Sequence, residues 1–190
     1  MRFWQRAVCL GFSLGCAAAQ STTQAREMFI INDSQHERWC AYRNKGESRS
    51  ESQRMDSTVV AGVLYGDDGR VATVHVTEGD ESGDWSVDDR YSLDKSGNMM
   101  ALSRVIDSFI LGITEEERFR IYGGKATRVS VVSRASRTGQ SAQPLTGDYL
   151  PDVPVITSVQ SFPFWPIVRD KQREVWSKGR VCAPTKGAPH

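Results

Sequence analysis

The sequence WSVDDRYSL, residues 85–93, alternates apolar and polar side chains along most of its length. Its odd positions hold Trp, Val, Tyr and Leu, its even positions hold Ser, Asp and Arg, and only Asp89 interrupts the apolar set. A repeat of two residues is typical of a β-strand with one buried face and one solvated face. These nine residues therefore predict a strand that lies on a core with its odd-numbered side chains.

Three neighbouring segments, residues 58–65, 70–77 and 98–106, are also rich in apolar and β-branched residues. The first is apolar on both faces, which favours a central position in a sheet. The connections GDDG (66–69) and DKSG (94–97) both end in glycine, and a glycine there adopts positive φ to form a bulge after a type I turn. We predict four consecutive antiparallel strands between Arg54 and Ile106.

The two hairpin turns share a pattern. Residues 64–71, LYGDDGRV, are echoed by residues 91–98, YSLDKSGN. Over this region the sequence faintly resembles the Tyr-Asp repeats of bacterial surface and toxin proteins. The resemblance implies successive hairpins of one design, and we carry no function over from it.

The flanking regions add further predicted elements. Residues 28–31 form a short apolar run. Strands are predicted at 38–43, 128–133 and 153–159, the last at a sheet edge because Pro154 cannot donate to a ladder. Residues 44–53 are charged and predict a loop, as do the Ser-, Thr- and Gly-rich residues 134–148. Thr114 and Glu117 form a capping-box pattern that predicts a short helix ending at Gly123–Gly124. Residues 170–178 predict either a helix that ends at Gly179 or a strand that leads to Cys182.

Together these elements predict a mainly β fold, an antiparallel meander forming a sandwich or half-barrel with one or two short helices. We divide the chain into a signal peptide (1–19), a flexible lead-in (20–27), a single β-rich domain (28–182) and a disordered tail (183–190). The length fits one domain with a substantial core.

The N-terminus has the three parts of a secretory signal peptide. Arg2 and Arg6 precede a short apolar run, and three alanines ending at Ala19 predict the cleavage site. A second interpretation exists, because Ser13–Cys16 loosely matches a bacterial lipobox, although Ser13 stands where leucine is usual. Both interpretations place the protein outside the cytoplasm, secreted or periplasmic, and lipidation of Cys16 would in addition tether it to a membrane.

The charge of the chain is nearly balanced, with 24 basic and 23 acidic residues. Removing a leader that holds two arginines would leave a net charge of about −1, which gives no large attraction to nucleic acid. We therefore expect no nucleic-acid partner.

The chain has four cysteines, and two of them, Cys9 and Cys16, lie in the predicted leader. The remaining pair, Cys40 and Cys182, predicts one disulfide in an exported protein. The sequence has no Cys-x-x-Cys spacing and no cluster of cysteines with histidines, which argues against a metal or redox site.

The segment SFPFWPI, residues 161–167, is unusual because prolines interrupt a run of aromatic residues. We expect it to plug one end of the sheet core. The functional alternative is an exposed aromatic platform in which Phe162, Phe164 and Trp165 bind a ligand.

No sequence motif identifies a catalytic or metal site. A Ser, an acid and His36 lie together in DSQHE, residues 33–37, but a catalytic triad is a spatial arrangement and neighbours in sequence rarely form one. The acidic run 78–84 offers oxygen ligands for calcium without the spacing of an EF-hand. We assign no catalytic residue, no metal and no cofactor.

The favoured function is therefore a non-catalytic exported domain that binds an unknown protein or small ligand, or serves a structural role. Two alternatives remain open. One is a small hydrolase that uses carboxylates between Asp80 and Asp89, and the other is an envelope lipoprotein anchored through Cys16.

Overall fold

The computed structural model describes residues 26–33, 38–55, 57, 59–80, 82–146 and 151–184. The predicted signal peptide, Cys16 within it, His36 and residues 185–190 of the predicted tail lie outside this part of the chain. The elements are, in chain order, β1 Arg26–Asp33, β2 Arg38–Tyr42, α1 Lys45–Met55, β3 Val59–Tyr65, β4 Val71–Gly79, β5 Trp85–Leu93, β6 Met99–Ser108, β7 Ile113–Tyr122, β8 Lys125–Ala135, a 3-10 turn Val159–Ser161, α2 Trp165–Asp170, α3 Gln172–Lys178 and β9 Arg180–Pro184.

The strands form one open antiparallel sheet in the order β8-β7-β6-β5-β4-β3-β1-β2-β9. The predicted mainly β antiparallel meander is confirmed, and it extends from β3 to β8 without interruption. β1 lies between β2 and β3 and is antiparallel to both. β2 and β3 are therefore parallel to each other, and α1 makes the connection between them.

The four strands predicted around residues 85–93 are present. β5 has the predicted bounds, and the other three differ from prediction by one or two residues. The two turns share one geometry, with φ of 74° at Gly69 and 83° at Gly97. In each turn the amide of the first residue donates a hydrogen bond to the carbonyl of the residue after the glycine. The distances are 2.8 Å from Gly66 to Arg70 and 2.9 Å from Asp94 to Asn98.

The main core lies on one side of the sheet, which we call the inner face. Residues 155–176, with α2 and most of α3, cover this face. The largest fully buried side chains on it include Met28, Tyr91, Phe162 and Phe164. On the opposite outer face a smaller cluster of Ile31, Cys40 and Tyr42 is buried.

The loop prediction for residues 44–53 is wrong, because Lys45–Met55 forms helix α1. The helix is almost entirely polar, so its sequence lacks the apolar stripe that usually marks a helix packed on a core. Its first turn is stabilised by Asn44, whose Oδ1 accepts the amide of Gly46 at 2.7 Å. Arg54 and Glu51 form an ion pair one turn apart near its end.

The helix prediction at Thr114–Glu117 is also wrong, because these residues lie in β7. The capping-box residues Thr and Glu occur equally well in a strand, and here every second residue faces inward. Glu115 and Glu117 are buried on the inner face, where β8 and the amide of Leu145 supply their hydrogen-bond donors. Tertiary partners therefore overrode the local helix pattern.

Residues 153–159 do not pair as the predicted edge strand. Residues 153–158 run over the inner face of the sheet and are held there by side chains instead of a ladder. Arg104 Nη1 donates to the carbonyl of Val153 at 2.8 Å. Pro154 within this segment removes one of the backbone donors that a ladder requires.

The predicted disulfide is confirmed. Cys40 and Cys182 face each other in the β2–β9 pair, and their sulfur atoms are bonded.

The two interpretations of the C-terminal region are both realised, because α3 ends at Gly179, with φ of 84°, and β9 follows it directly. At the other end β1 begins at Arg26, so the last residues of the predicted flexible lead-in belong to a strand.

Candidate functional site

A cavity of about 170 Å³ lies between the inner face of the sheet and the segment that covers it. Strands β2 to β5 form its floor, and residues 153–164 form its roof. Most of the lining is apolar or aromatic, and two carboxylic acids complete it. The lining residues are Trp39, Val59, Val76, Glu78, Asp89, Tyr91, Val153, Pro154, Ile156, Phe162, Pro163 and Phe164.

The aromatic segment reaches this cavity from the roof. Phe162 and Phe164 stack with ring centroids 5.0 Å apart, Phe162 meets the edge of Tyr91 at 5.3 Å, and Phe164 meets Trp39 at 5.3 Å. Phe162 and Phe164 are buried, and Trp165 is half-buried against the same core. Phe162 and Phe164 therefore fill the core, as the plug interpretation expects. Only those parts of the two rings that line the cavity could contact a ligand.

Asp89, which lines the cavity, belongs to a buried ion pair. Arg104 Nε donates to Asp89 Oδ1 at 2.7 Å and Nη2 donates to Oδ2 at 2.8 Å, with both side chains about 5% exposed. The Tyr91 hydroxyl donates to Asp89 Oδ2 at 3.0 Å and accepts the amide of Ile156 at 3.3 Å. These contacts satisfy the buried charges and attach the roof to the sheet.

The electrostatics of this group follow from burial and from the ion pair. Burial, and then the nearby charge of Asp89, raises the pKa of Tyr91 well above its ordinary range. Burial alone would lower the pKa of Arg104, but the hydrogen bonds and charge of Asp89 keep it above the ordinary value. Arg104 therefore stays protonated and Tyr91 stays neutral at physiological pH.

Glu78 is the second carboxylic acid in the cavity wall, and its surroundings differ. No hydrogen bond joins its carboxyl to another residue of the described chain. Burial, and then repulsion from Asp89, raises the pKa of Glu78, while Arg104 partly opposes the change. Glu78 is thus the polar group of the cavity that has capacity to bind a donor.

Two further buried acids lie on the same face farther along the sheet. Ser133 Oγ and the amide of Leu145 donate to Glu115 Oε2 at 2.6 and 2.9 Å. Arg128 donates to Glu117 at 2.7 Å. These hydrogen bonds join β7 to β8 and to Leu145, so the two acids serve to hold the sheet together.

The carboxylates between Asp80 and Asp89 do not meet at one place. Asp80 accepts bonds from Ser82 and from the amide of Trp85 in its own turn. Asp88 lies on the outer face, where a hydrogen bond with His75 Nε2 at 2.7 Å lowers its pKa. Asp89 faces inward, because successive residues of a strand point to opposite faces.

A larger depression of about 630 Å³ lies at the turn ends of β5 to β7. Its acid, Asp94, accepts the amides of Ser96 and Asn98 at 2.8 and 2.9 Å within its own turn. Since that carboxylate is used to close the turn, we place the candidate site in the smaller inner cavity.

The sequence prediction named Phe162 and Phe164, which line the cavity, but considered Glu78 only as part of the acidic run 78–84 and missed Tyr91 and Arg104. One signal was present. Asp89 interrupts the apolar face of β5, and an acid on a buried face requires a cation or donors nearby. Arg104 occupies the equivalent inward position of β6, opposite Asp89 in the register.

Neither a protein-family model nor a curated protein nor a solved structure matches this chain significantly. Across the described ranges, no three potential metal ligands of the His, Cys, Asp or Glu type converge. In the same ranges no helix has the length and apolar character needed to cross a membrane.

Proposed function

We propose that this protein is an exported, non-catalytic domain that binds a small amphiphilic ligand in the inner cavity. The ligand has an apolar body about the size of one ring or a short alkyl chain, and an amine or another hydrogen-bond donor at one end. One observation supports this proposal above all: apolar walls from the sheet and from its roof meet at a carboxyl, Glu78, that has no hydrogen-bond partner among the described residues.

The size of the cavity supports the ligand class. An apolar cavity of roughly 150 Å³ can bind benzene, and this cavity has a volume of about 170 Å³. The aromatic rings of Phe162, Phe164 and Trp39 would contact the ligand body. The charge of Asp89 is neutralised by Arg104, so Glu78 is the group that would accept a hydrogen bond from the ligand or pair with its charge.

Ligand-dependent thermal stability tests the proposal. Benzylamine at about ten times its dissociation constant should stabilise the fold by about 1.4 kcal/mol, and so raise Tm by about 3–6 °C. Benzoate, of similar size and opposite charge, should give no shift. Glu78→Gln should weaken benzylamine more than toluene, because toluene has no group for the carboxyl to bind.

A cavity-filling variant provides the control. In Val76→Phe a ring occupies the space next to Glu78. We expect that neither benzylamine, nor toluene, nor a short alkylamine raises the Tm of this variant. The proposal fails if benzylamine, toluene and short alkylamines leave the wild-type Tm unchanged, or if they shift Val76→Phe by the same amount.

Export is supported by the pattern of residues 1–19 and by a disulfide that is typical of oxidising compartments. N-terminal sequencing of protein from the secreting cell should find a start after Ala19 for a free protein. If Cys16 is the lipid anchor of the alternative proposal, Cys16→Ser should release the protein from the membrane fraction.

A carboxylate-dependent hydrolase is the alternative activity. It is favoured by the presence of Glu78 and Asp89 in one cavity, where burial raises the pKa of Glu78 and Asp89 is ion-paired. Hydrolysis of a chromogenic ester or glycoside that is lost in Glu78→Gln or Asp84→Asn would support it. Turnover that is unchanged in both variants would exclude Glu78 and Asp84 as catalytic carboxylates.

A further inference from the structure

The outer face of the sheet carries a shallow groove of about 320 Å³ over β5, β6 and β7. The strand register arranges its residues in two rows. One row is Arg90, Ser103 and Arg118, and the next is Ser92, Ala101 and Arg120. Three arginines therefore surround a floor of small side chains, while Met100 and Val129 form partly exposed apolar sides.

The spacing of the three cations follows from the sheet. Adjacent strands are about 4.8 Å apart, so the backbones of Arg90 and Arg118 are about 10 Å apart across β6. Arg118 and Arg120 are two residues apart on one strand, about 7 Å. Three guanidinium groups on such a frame can converge on one ligand that carries two or three anionic groups.

None of the three arginines forms an ion pair with a carboxylate of the described residues, although the charge of Arg90 acts on Asp88 and helps to lower its pKa. All three side chains are exposed. The nearest acids on their own strands are engaged elsewhere: Asp88 binds His75 at 2.7 Å, and Glu116 binds Arg134 at 2.8 Å.

We propose that this groove is a binding site for a multivalent oxyanion, a compound with two or more phosphate or sulfate groups. Guanidinium groups bind such oxyanions through paired hydrogen bonds. The small residues of the floor allow the ligand to approach the backbone of β6. The site is separate from the inner cavity, because it lies on the opposite face of the sheet.

Calorimetric titration with inorganic tripolyphosphate tests this site. We expect saturable binding with one ligand per chain in about 50 mM salt, weakened at higher salt as charges are screened. The double variant Arg118→Gln/Arg120→Gln should lose at least about tenfold in affinity. Arg173→Gln removes an exposed arginine of α3, on the other side of the molecule, and should change affinity by less than about twofold.

Ser103→Glu separates binding from folding. It keeps every arginine and places a carboxylate between Arg90 and Arg118, where opposite charges across strands are favourable. We therefore expect an unchanged or higher Tm and loss of tripolyphosphate binding. The proposal is overturned if wild type does not bind, if Ser103→Glu binds normally, or if Arg173→Gln loses as much affinity as the double variant.

Discussion

At the scale of single residues, the pair of Asp89 and Arg104 links the sheet to its cover. Asp89 is bound by a guanidinium fork and by Tyr91, while Arg104 also donates to the carbonyls of Val153 and Pro154. Both charges are almost fully buried, so each depends on the other for its compensation.

Arg104→Met should destabilise the fold strongly, because it leaves the Asp89 carboxylate buried without its cation. We expect a loss of about 3–5 kcal/mol in the free energy of unfolding measured with urea. The double variant Asp89→Leu/Arg104→Met should lose less, since it removes both charges.

Arg134→Met is the matched control for this prediction. It breaks an ion pair of similar length with Glu116, at 2.8 Å, in which both side chains are nearly half exposed. Its cost should not exceed about 1 kcal/mol. Equal losses for the Arg104 and Arg134 variants would contradict the role given to burial.

Glu78 supplies a prediction about pH. Its folded-state pKa is raised above the ordinary value of 4.5, chiefly by burial, so the folded protein binds this proton more tightly than the unfolded chain does. The stabilising contribution of Glu78 is therefore fully present below about pH 4.5 and is lost as pH rises through the raised pKa.

It follows that Glu78→Gln, which cannot ionise, should be more stable than wild type at pH 7. This advantage should shrink as pH falls toward about 4.5. Urea unfolding of both proteins across this range measures the difference, and parallel curves for the two proteins would refute the shift.

At the scale of elements, the C-terminal strand is tied to the sheet by backbone pairing and by one covalent bond. β9 pairs with β2 at the sheet edge, and Cys40 and Cys182 are directly opposite each other. Their separation of 142 residues means that the bond closes nearly the whole folded chain into a loop. A long loop restricts the unfolded ensemble strongly.

Cys40→Ala/Cys182→Ala should therefore lower the free energy of unfolding by about 2–5 kcal/mol. Reduction of the wild type with dithiothreitol should give the same loss, and dithiothreitol should have no effect on the variant. A loss below about 1 kcal/mol in both experiments would show that the unfolded chain gains little freedom from opening this loop.

The elements also differ in how well local sequence predicted them. The bounds of β5 were predicted correctly, because the two-residue period of its sequence matches the alternation of more and less buried side chains along the strand. β7 was mistaken for a helix start, because the pattern of Thr114 and Glu117 is local whereas the partners of its buried acids, Ser133 and Arg128, are on β8. α1 was missed because its composition is almost entirely polar. Its capping residue, Asn44, was a local signal for a helix start that the prediction did not use.

At the scale of the whole molecule, the sheet is open and its two edges differ. β9 is joined to its neighbour by the disulfide, whereas β8 pairs within the described chain with β7 and, through Arg134, makes one isolated bridge with Ser141. Along most of β8, the edge that faces away from β7 therefore exposes backbone groups. Val129, Val131 and Val132 of this strand are also partly exposed.

Hydrogen exchange should reflect this asymmetry. Amides of β5, which lies between two strands and under the roof, should exchange slowest, while outward-pointing amides of β8 should exchange at least about a hundredfold faster. Mass spectrometry or NMR on the native protein measures both. Similar protection in β5 and β8 would indicate that something covers the β8 edge in solution.

The sequence by itself determined the antiparallel meander, its hairpin turns and the cysteine pair, because these depend on periodicity, on glycine conformation and on simple counting. The tertiary structure alone decided where the polar groups lie. It placed Arg104 against Asp89, set Glu78 in the wall of a mainly apolar cavity, and grouped Arg90, Arg118 and Arg120 on the outer face. The physical reason is register: strand pairing brings together residues that are far apart in sequence, and no local pattern encodes which of them will meet.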